Sequence, residues 1–178
     1  ANAADGSYNS TTSVISGTKN GGAVTGSAVS ASLFVKSVPQ LSMVFIDSPV
    51  NQGGQTTLRC TLTNPSSVHA ASGIQFKVPI NEFIDGAVVS ILPSANSCGI
   101  GSTFASQTNG NDWWVQISNG SLAAGANCTF DIVIQLPSGG SIGVFVNTVD
   151  DLTATVNGEL LSSPSSSASL TVLPFVRM

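Results

Sequence analysis

The strongest constraint on the fold is a two-residue alternation of apolar and polar side chains that recurs along the chain. It is clear at Leu58, Cys60 and Leu62. Successive side chains of a strand point to opposite faces, so this period is typical of strands that bury one face. Further runs of this kind cover residues 41–46, 74–78, 87–92, 113–117, 128–134, 142–146, 152–156 and 167–172.

Turn residues separate these short runs, and no window of useful length has the period of a helix. Asn64-Pro65, Gly139-Gly140 and Asn157-Gly158 are the clearest turn signals. Many short strands at this spacing are typical of two packed antiparallel sheets. The sequence therefore predicts an all-β fold, an immunoglobulin-like antiparallel β-sandwich with an extra N-terminal β-hairpin.

The composition is poor in charge. Of 178 residues, 8% are charged and 42% are hydrophobic, and the net charge is −4. An ordinary globular protein has about 25% charged residues. With little like-charge repulsion, copies of the chain tolerate self-association, and with no basic run, binding to nucleic acid is not expected.

The sequence opens on Ala1 and contains no run of 18 apolar residues. A span of that length is the usual sign of a membrane helix. We expect a secreted or cell-surface protein after removal of a signal peptide, with no membrane span.

Residues 11–35 repeat residues 148–172 without gaps, with Thr11 against Thr148 and Val35 against Val172. The shared residues include an Asn-Gly pair and an Ala-Ser-Leu-x-Val ending in the same register. Asn-Gly favours two-residue hairpin turns, so each copy is predicted to form a β-hairpin. The expected division is an N-terminal hairpin or donor-strand extension at 1–36 and a sandwich at 37–178.

Three stretches resemble a family of tandemly repeated immunoglobulin-like domains of bacterial surface proteins, the conserved-repeat domain. They are residues 51–65 (NQGGQTTLRCTLTNP), residues 122–130 (LAAGANCTF) and residues 168–172 (ASLTV). The resemblance implies stalk or wall material of adhesin-like proteins, with no catalytic residues.

The same resemblance implies a disulfide between Cys98 and Cys128, because the family often places cysteines near these two points. Closing that loop would stabilise the fold by about 3–4 kcal/mol. Cys60 is then left over, as a buried inert thiol on the inward face of a strand. An intermolecular bridge or another pairing is the alternative.

Few residues offer catalytic or metal chemistry. His69 is the only histidine, Glu82 and Asp85 lie in a polar loop, and no Gly-x-Ser-x-Gly motif occurs. We expect neither an enzyme nor a zinc site. No cofactor is expected, and Ca²⁺ is a minor alternative at Asp150-Asp151, with three more distant aspartates as partners: Asp47, Asp85 and Asp112.

Two other features point to surface contacts. Alternation sends Trp113 and Trp114 to opposite faces, one into the core and the other to an interface with a protein or a sugar. Asn9 and Asn119 begin N-glycosylation sequons.

The extra hairpin carries the functional prediction, because such a hairpin is not stable alone. We expect a non-enzymatic subunit of an extracellular filament, pilus or tube, a homopolymer formed by donating N-terminal strands to a neighbouring copy. The alternative is an adhesin or carbohydrate-binding module of a surface-protein repeat array, in which the hairpin is the end of the preceding module, folded back or packed on the same chain. The donor contacts are predicted at Val14, Ile15, Val24, Ala28, Leu33 and Val35.

Overall fold

A computed structural model describes residues 5–175 and divides the chain into two compact units between Ser37 and Val38. The predicted boundary lay one residue earlier. All regular structure in residues 5–175 is β-strand, and these residues contain no helix that could span a membrane. The all-β prediction is confirmed.

The N-terminal unit consists of two antiparallel strand pairs that form one long hairpin. The outer pair is β1 (Gly6–Thr11) with β4 (Ser30–Val35), and the inner pair is β2 (Ser16–Lys19) with β3 (Gly22–Thr25). Within the described part of this unit no residue is buried.

The second unit is a β-sandwich of twelve strands. One sheet has the order β10-β11-β8-β14-β15, the second β5-β7-β12-β9, and a third β13-β16-β6. The strands are β5 (Gln40–Phe45), β6 (Val50–Asn51), β7 (Gln55–Thr63), β8 (Ala71–Pro79), β9 (Val88–Ile91), β10 (Thr103–Asn109), β11 (Asp112–Leu122), β12 (Asn127–Gln135), β13 (Gly143–Val149), β14 (Thr153–Val156), β15 (Glu159–Ser162) and β16 (Ser166–Leu173).

The core follows from the alternation seen in the sequence. On β7, Leu58, Cys60 and Leu62 are fully buried, while the residues between them are exposed or half-buried. The same pattern occurs on β8, β11, β12, β14 and β16. Burying each apolar side chain of this size contributes about 1.5–3 kcal/mol, so the sandwich has a substantial core of its own.

The last four strands of the sandwich pair with strands of two different sheets. β14 pairs with β8 and carries β15, whereas β16 pairs with β13 and, in parallel, with β6. Asn147 on β13 is buried, and its Nδ2 donates a hydrogen bond to the carbonyl oxygen of Pro79 at the end of β8. The segment β13–β16 is therefore required to close the core.

Candidate functional site

The N-terminal unit has the strand pairing of β13–β16, residue for residue. Gly6 pairs with Val35 as Gly143 pairs with Val172, at the same offset of 137 residues in both strands. The outer and inner pairs both keep this correspondence along their whole length. The sequence repeat is thus also a structural repeat.

The inner hairpins of the two copies turn in the same way. Asn20 and Gly21 have φ values of 50° and 80°, and Asn157 and Gly158 have 50° and 76°. Two successive positive φ values define a turn that matches the right-handed twist of the flanking strands, and Asn-Gly accommodates them at low cost. These local residues explain why both segments form the same hairpin.

The two copies differ in what covers them. In the sandwich, Leu170 on β16 is fully buried, whereas its counterpart Leu33 on β4 is 64% exposed. Ile15, which corresponds to the buried Leu152, is 72% exposed. The described part of the N-terminal unit thus has an exposed apolar face.

Four of the six predicted contact residues have buried or half-buried counterparts in the sandwich. These pairs are Ile15 with Leu152, Val24 with Leu161, Leu33 with Leu170 and Val35 with Val172. The other two, Val14 and Ala28, correspond to the exposed residues Asp151 and Ser165. The repeat therefore assigns Val14 and Ala28 to the outer side of the unit.

Sequence reasoning missed two members of this face. Tyr8 corresponds to the half-buried Phe145, and Ala31 to the buried Ala168. Tyr8 lies between Gly6, which is identical to Gly143, and Thr11, which is identical to Thr148, so extending the register back to Gly6 would have included it. Ala31 lies within the match, and the burial of Ala168 identifies it.

A second surface lies over the outer side of the five-stranded sheet. Trp114 is half-buried there, with the Nζ atom of Lys77 5.0 Å from its ring centroid. Such a cation–π contact stabilises both side chains and covers one face of the indole. An open groove of about 520 Å³ surrounds the pair and is lined by Lys77, Pro79, Glu82, Asn109, Asp112, Trp114, Thr148, Asp150 and Asp151.

The prediction that one tryptophan is a core residue was wrong. Trp113 shares the inward-facing side of β11 with Val115 and Ile117, but it is 44% exposed. It lies next to the β10–β11 turn, at the margin of the sandwich, where its carbonyl oxygen accepts hydrogen bonds from the backbone of Ile80 and Asn81. The strand alternation is correct, but the core ends before this residue.

The acidic residues do not form a metal centre within the described part of the chain, where no three His, Cys, Asp or Glu side chains are grouped to hold an ion. Asp151 instead accepts a hydrogen bond from the backbone N–H of Lys77 at 2.9 Å. Glu82 and Asp85 are exposed near the start of β9. His69 is half-buried in the loop before β8, where its backbone N–H is bonded to Ser66.

The cysteines form one disulfide and one free thiol. Cys98, before β10, is bonded to Cys128 on β12, with their Cα atoms 5.3 Å apart. This joins the β9–β10 connection to the core. Cys60 is free and fully buried, and burial, assisted by the charge of Asp131, raises the pKa of its thiol to about 12.

Both asparagines of the sequons are exposed. Asn9 is on β1, where its Oδ1 accepts a hydrogen bond from Ser32. Asn119 has a φ of 56° at an irregularity in the β11–β8 pairing. Exposure is what a glycan requires, and glycosylation of these residues stays a prediction.

The chain is similar in structure to solved cohesins and to a pilin subunit. A cohesin module from a family 33 glycoside hydrolase of Clostridium perfringens has a TM-score of 0.52 and 9% identity, covering 79% of this chain and all (100%) of that one. A type I cohesin in a cohesin–dockerin complex from Clostridium thermocellum has a TM-score of 0.52 and 9% identity, over 75% of this chain and 94% of that one. The major pilin subunit BcpA of Bacillus cereus has a TM-score of 0.49 and 11% identity, over 92% and 48%.

The likeness to the two cohesins confirms the β-sandwich fold. No curated protein matches the chain. One family model does match, and it covers residues 39–172, which is most of the sandwich unit. Membership of the conserved-repeat family stays a prediction, and the family that is shown has no assigned activity. The chain belongs to the family described as "Domain of unknown function (DUF7933)".

Proposed function

We propose that this protein is a non-enzymatic structural module of an extracellular assembly of β-sandwiches, joined to its neighbour through strands of the N-terminal unit. One observation carries the proposal. Residues 6–35 have the strand pairing of the last four strands of a sandwich, and their apolar face is exposed. The remaining strands of the sandwich to which this face belongs must come from a neighbour.

Physical considerations favour docking over an isolated hairpin. A two-stranded ribbon is at best marginally stable in water, and three or more strands or a packed face are needed for independent stability. Burying side chains such as Leu33 and Ile15 would contribute about 1.5–3 kcal/mol each. Addition of strands to a sheet edge also satisfies backbone hydrogen bonds, as in donor-strand complementation.

Two kinds of neighbouring sandwich are consistent with this proposal. In a filament, pilus or tube the neighbour is another copy of the chain, and head-to-tail docking builds a homopolymer. In a repeat array it is the preceding module of a surface protein. The equivalence of the N-terminal unit to the end of a complete sandwich favours the second form, an adhesion-type array.

Other features support an extracellular role in protein binding. The Cys98–Cys128 disulfide suits an oxidising compartment. The sandwich fold is used by a cohesin in complex with a dockerin. In contrast, one face of Trp114 is already covered by Lys77, so the groove around it is a poorer site for stacking a sugar.

Electron microscopy and light scattering of the native material test the proposal. It predicts large assemblies, or long multi-module chains, in which residues 1–37 are needed for the connection. A chain of residues 38–178 is expected to stay monomeric, because its sandwich is complete. If the native protein is a monomer from which residues 1–37 can be cleaved without effect, the proposal is wrong.

A further inference from the structure

We infer that the N-terminal unit occupies one particular place in its neighbour: the β13–β16 position of a related sandwich that lacks its own last four strands. This inference rests on the proposed function and specifies the partner. The partner is a DUF7933-type sandwich made of the counterparts of β5–β12, with an open edge at β8 and another at β6. It is not a second copy of the Val38–Met178 sandwich.

The backbone register of the N-terminal unit supports this choice of partner. Pairing between β13 and β16 and between β14 and β15 is reproduced without any shift in the N-terminal unit. The hydrogen-bonding edges that β14 offers to β8, and β16 to β6, therefore have equivalents at β2 and β4. A segment that needed only to add one strand would not have to keep the geometry of all four.

The side-chain pattern of the N-terminal unit supports the same partner. Several buried positions of β13–β16 are matched by apolar residues in the N-terminal unit, with Ile15 for Leu152, Leu33 for Leu170 and Val35 for Val172. Val14 takes the place of the exposed Asp151, and polar Ser32 that of the exposed Ser169. The apolar face of the N-terminal unit therefore suits the core of a DUF7933-type sandwich.

Lys19 indicates which sandwich the N-terminal unit can dock on. It corresponds to Val156, which is fully buried on β14 and pairs with Ala71 of β8. An ammonium group placed there without a partner costs several kcal/mol. The partner must therefore offer a carboxylate or an opening at this point, whereas Val156 in this chain's own sandwich is fully buried.

Two smaller substitutions lead to the same conclusion. Gly17 corresponds to the buried Ala154, and Ser10 to the buried Asn147, whose amide bonds to Pro79. In this chain's own sandwich these changes would leave a small void and an unpaired carbonyl. Its own position is also already filled by β13–β16. A related but distinct sandwich therefore fits better than a copy of this one.

Segment exchange within the full-length chain tests the inference. Residues 143–172 are replaced by a second copy of residues 6–35, which has the same length. Four chimeras are compared by thermal unfolding and near-UV circular dichroism. The first has the unchanged insert, and the second carries Lys19→Val together with Gly17→Ala and Ser10→Asn in the insert. The third and fourth add Leu33→Asp or Val14→Asp to the second.

The second chimera is expected to unfold cooperatively and to melt above the chimera with the unchanged insert. Val14→Asp restores the residue that the sandwich has at this position, so its melting temperature should stay within about 5 °C. Leu33→Asp should abolish the cooperative transition or lower it by more than about 10 °C. If Leu33→Asp and Val14→Asp behave alike, or if the second chimera does not fold, the inference is wrong.

Polymerisation of the wild-type chain and of its single variants tests the identity of the partner. If the wild-type chain polymerises and Leu33→Asp prevents it while Lys19→Val strengthens it only slightly, the acceptor is a second copy and the inference about the partner fails. The chimeras require no assembly, so they report on the inference alone. Loss of assembly by the native protein would overturn the proposed function and leave the chimera result standing.

Discussion

At the scale of single residues, Asn64 holds together the loops at one end of the sandwich. It is fully buried, and its Nδ2 donates hydrogen bonds to the carbonyl oxygens of His69 at 2.9 Å and Ala123 at 3.0 Å. Its Oδ1 accepts a hydrogen bond from the backbone N–H of Ser66 at 3.2 Å. One amide thus connects the β7–β8 loop to the β11–β12 loop.

Asn64→Ala should lower the free energy of unfolding by about 2–3 kcal/mol, because buried carbonyl and N–H groups lose their partners. Urea unfolding of the chain measures this. Asn111→Ala, at an exposed asparagine in the β10–β11 turn, is the control and should change stability by less than about 0.5 kcal/mol. Equal effects of the two substitutions would contradict this role of Asn64.

Cys60 should be almost unreactive in the folded protein. With a pKa of about 12, only on the order of one thiol in ten thousand is ionised at pH 8, and the thiolate is the nucleophile. Alkylation should be at least about a hundred times slower in buffer than in denaturant. Mass spectrometry of the labelled protein measures both rates. Rapid labelling without unfolding would mean that the thiol is accessible.

Asp131 should make stability depend on pH below its ordinary pKa. Its carboxylate accepts hydrogen bonds from Arg59 at 2.9 and 2.8 Å, and this pairing lowers its pKa from 3.8. The unfolded state then binds the proton more readily, so the contribution is present above about pH 4 and is lost as pH falls further. The difference in free energy of unfolding between wild type and Asp131→Asn, measured at constant ionic strength, should shrink from pH 5 to pH 2. A difference that does not change with pH would contradict the coupling.

At the scale of secondary-structure elements, the disulfide fixes the β9–β10 connection to β12. The two cysteines are 30 residues apart in sequence. Closing such a loop restricts the unfolded chain and stabilises the fold by about 3–4 kcal/mol. Its removal should lower the melting temperature by roughly 10 °C.

Calorimetry with and without reductant checks this, using the double variant Cys98→Ser with Cys128→Ser. The wild type should melt lower in reductant, and the double variant should be insensitive to it. If reductant lowers the melting temperature of both proteins equally, the bond does not provide the stabilisation.

Most strands could be predicted from alternation, since strand period and turn chemistry are local properties of the sequence. Which strands pair with each other is not a local property of the sequence. The parallel pairing of β16 with β6 and the division of β13–β16 between two sheets depend on contacts far apart in the chain. Trp113 was misplaced for the same reason, because alternation gives the side of a strand and not where the core ends. The repeat was readable because identities such as Asn20 with Asn157 lie in one register.

At the scale of the whole molecule, residues 5–175 contain one sandwich and a second copy of its last four strands. The sandwich is complete with β13–β16, and the N-terminal unit repeats this ending with an exposed apolar face. Low charge and few ionic repulsions suit a protein that lies against its neighbours. We propose that the N-terminal strands are held by a neighbouring sandwich.

Hydrogen exchange on the native assembled protein, compared with the isolated chain, tests this claim most directly. Amides of Ser16–Lys19 and Ser30–Val35 should be strongly protected in the assembly, because β2 and β4 gain partners and cover. In the isolated chain they should exchange far faster than those of β14 and β16. Equally fast exchange of these amides in the assembled and isolated protein would contradict the claim.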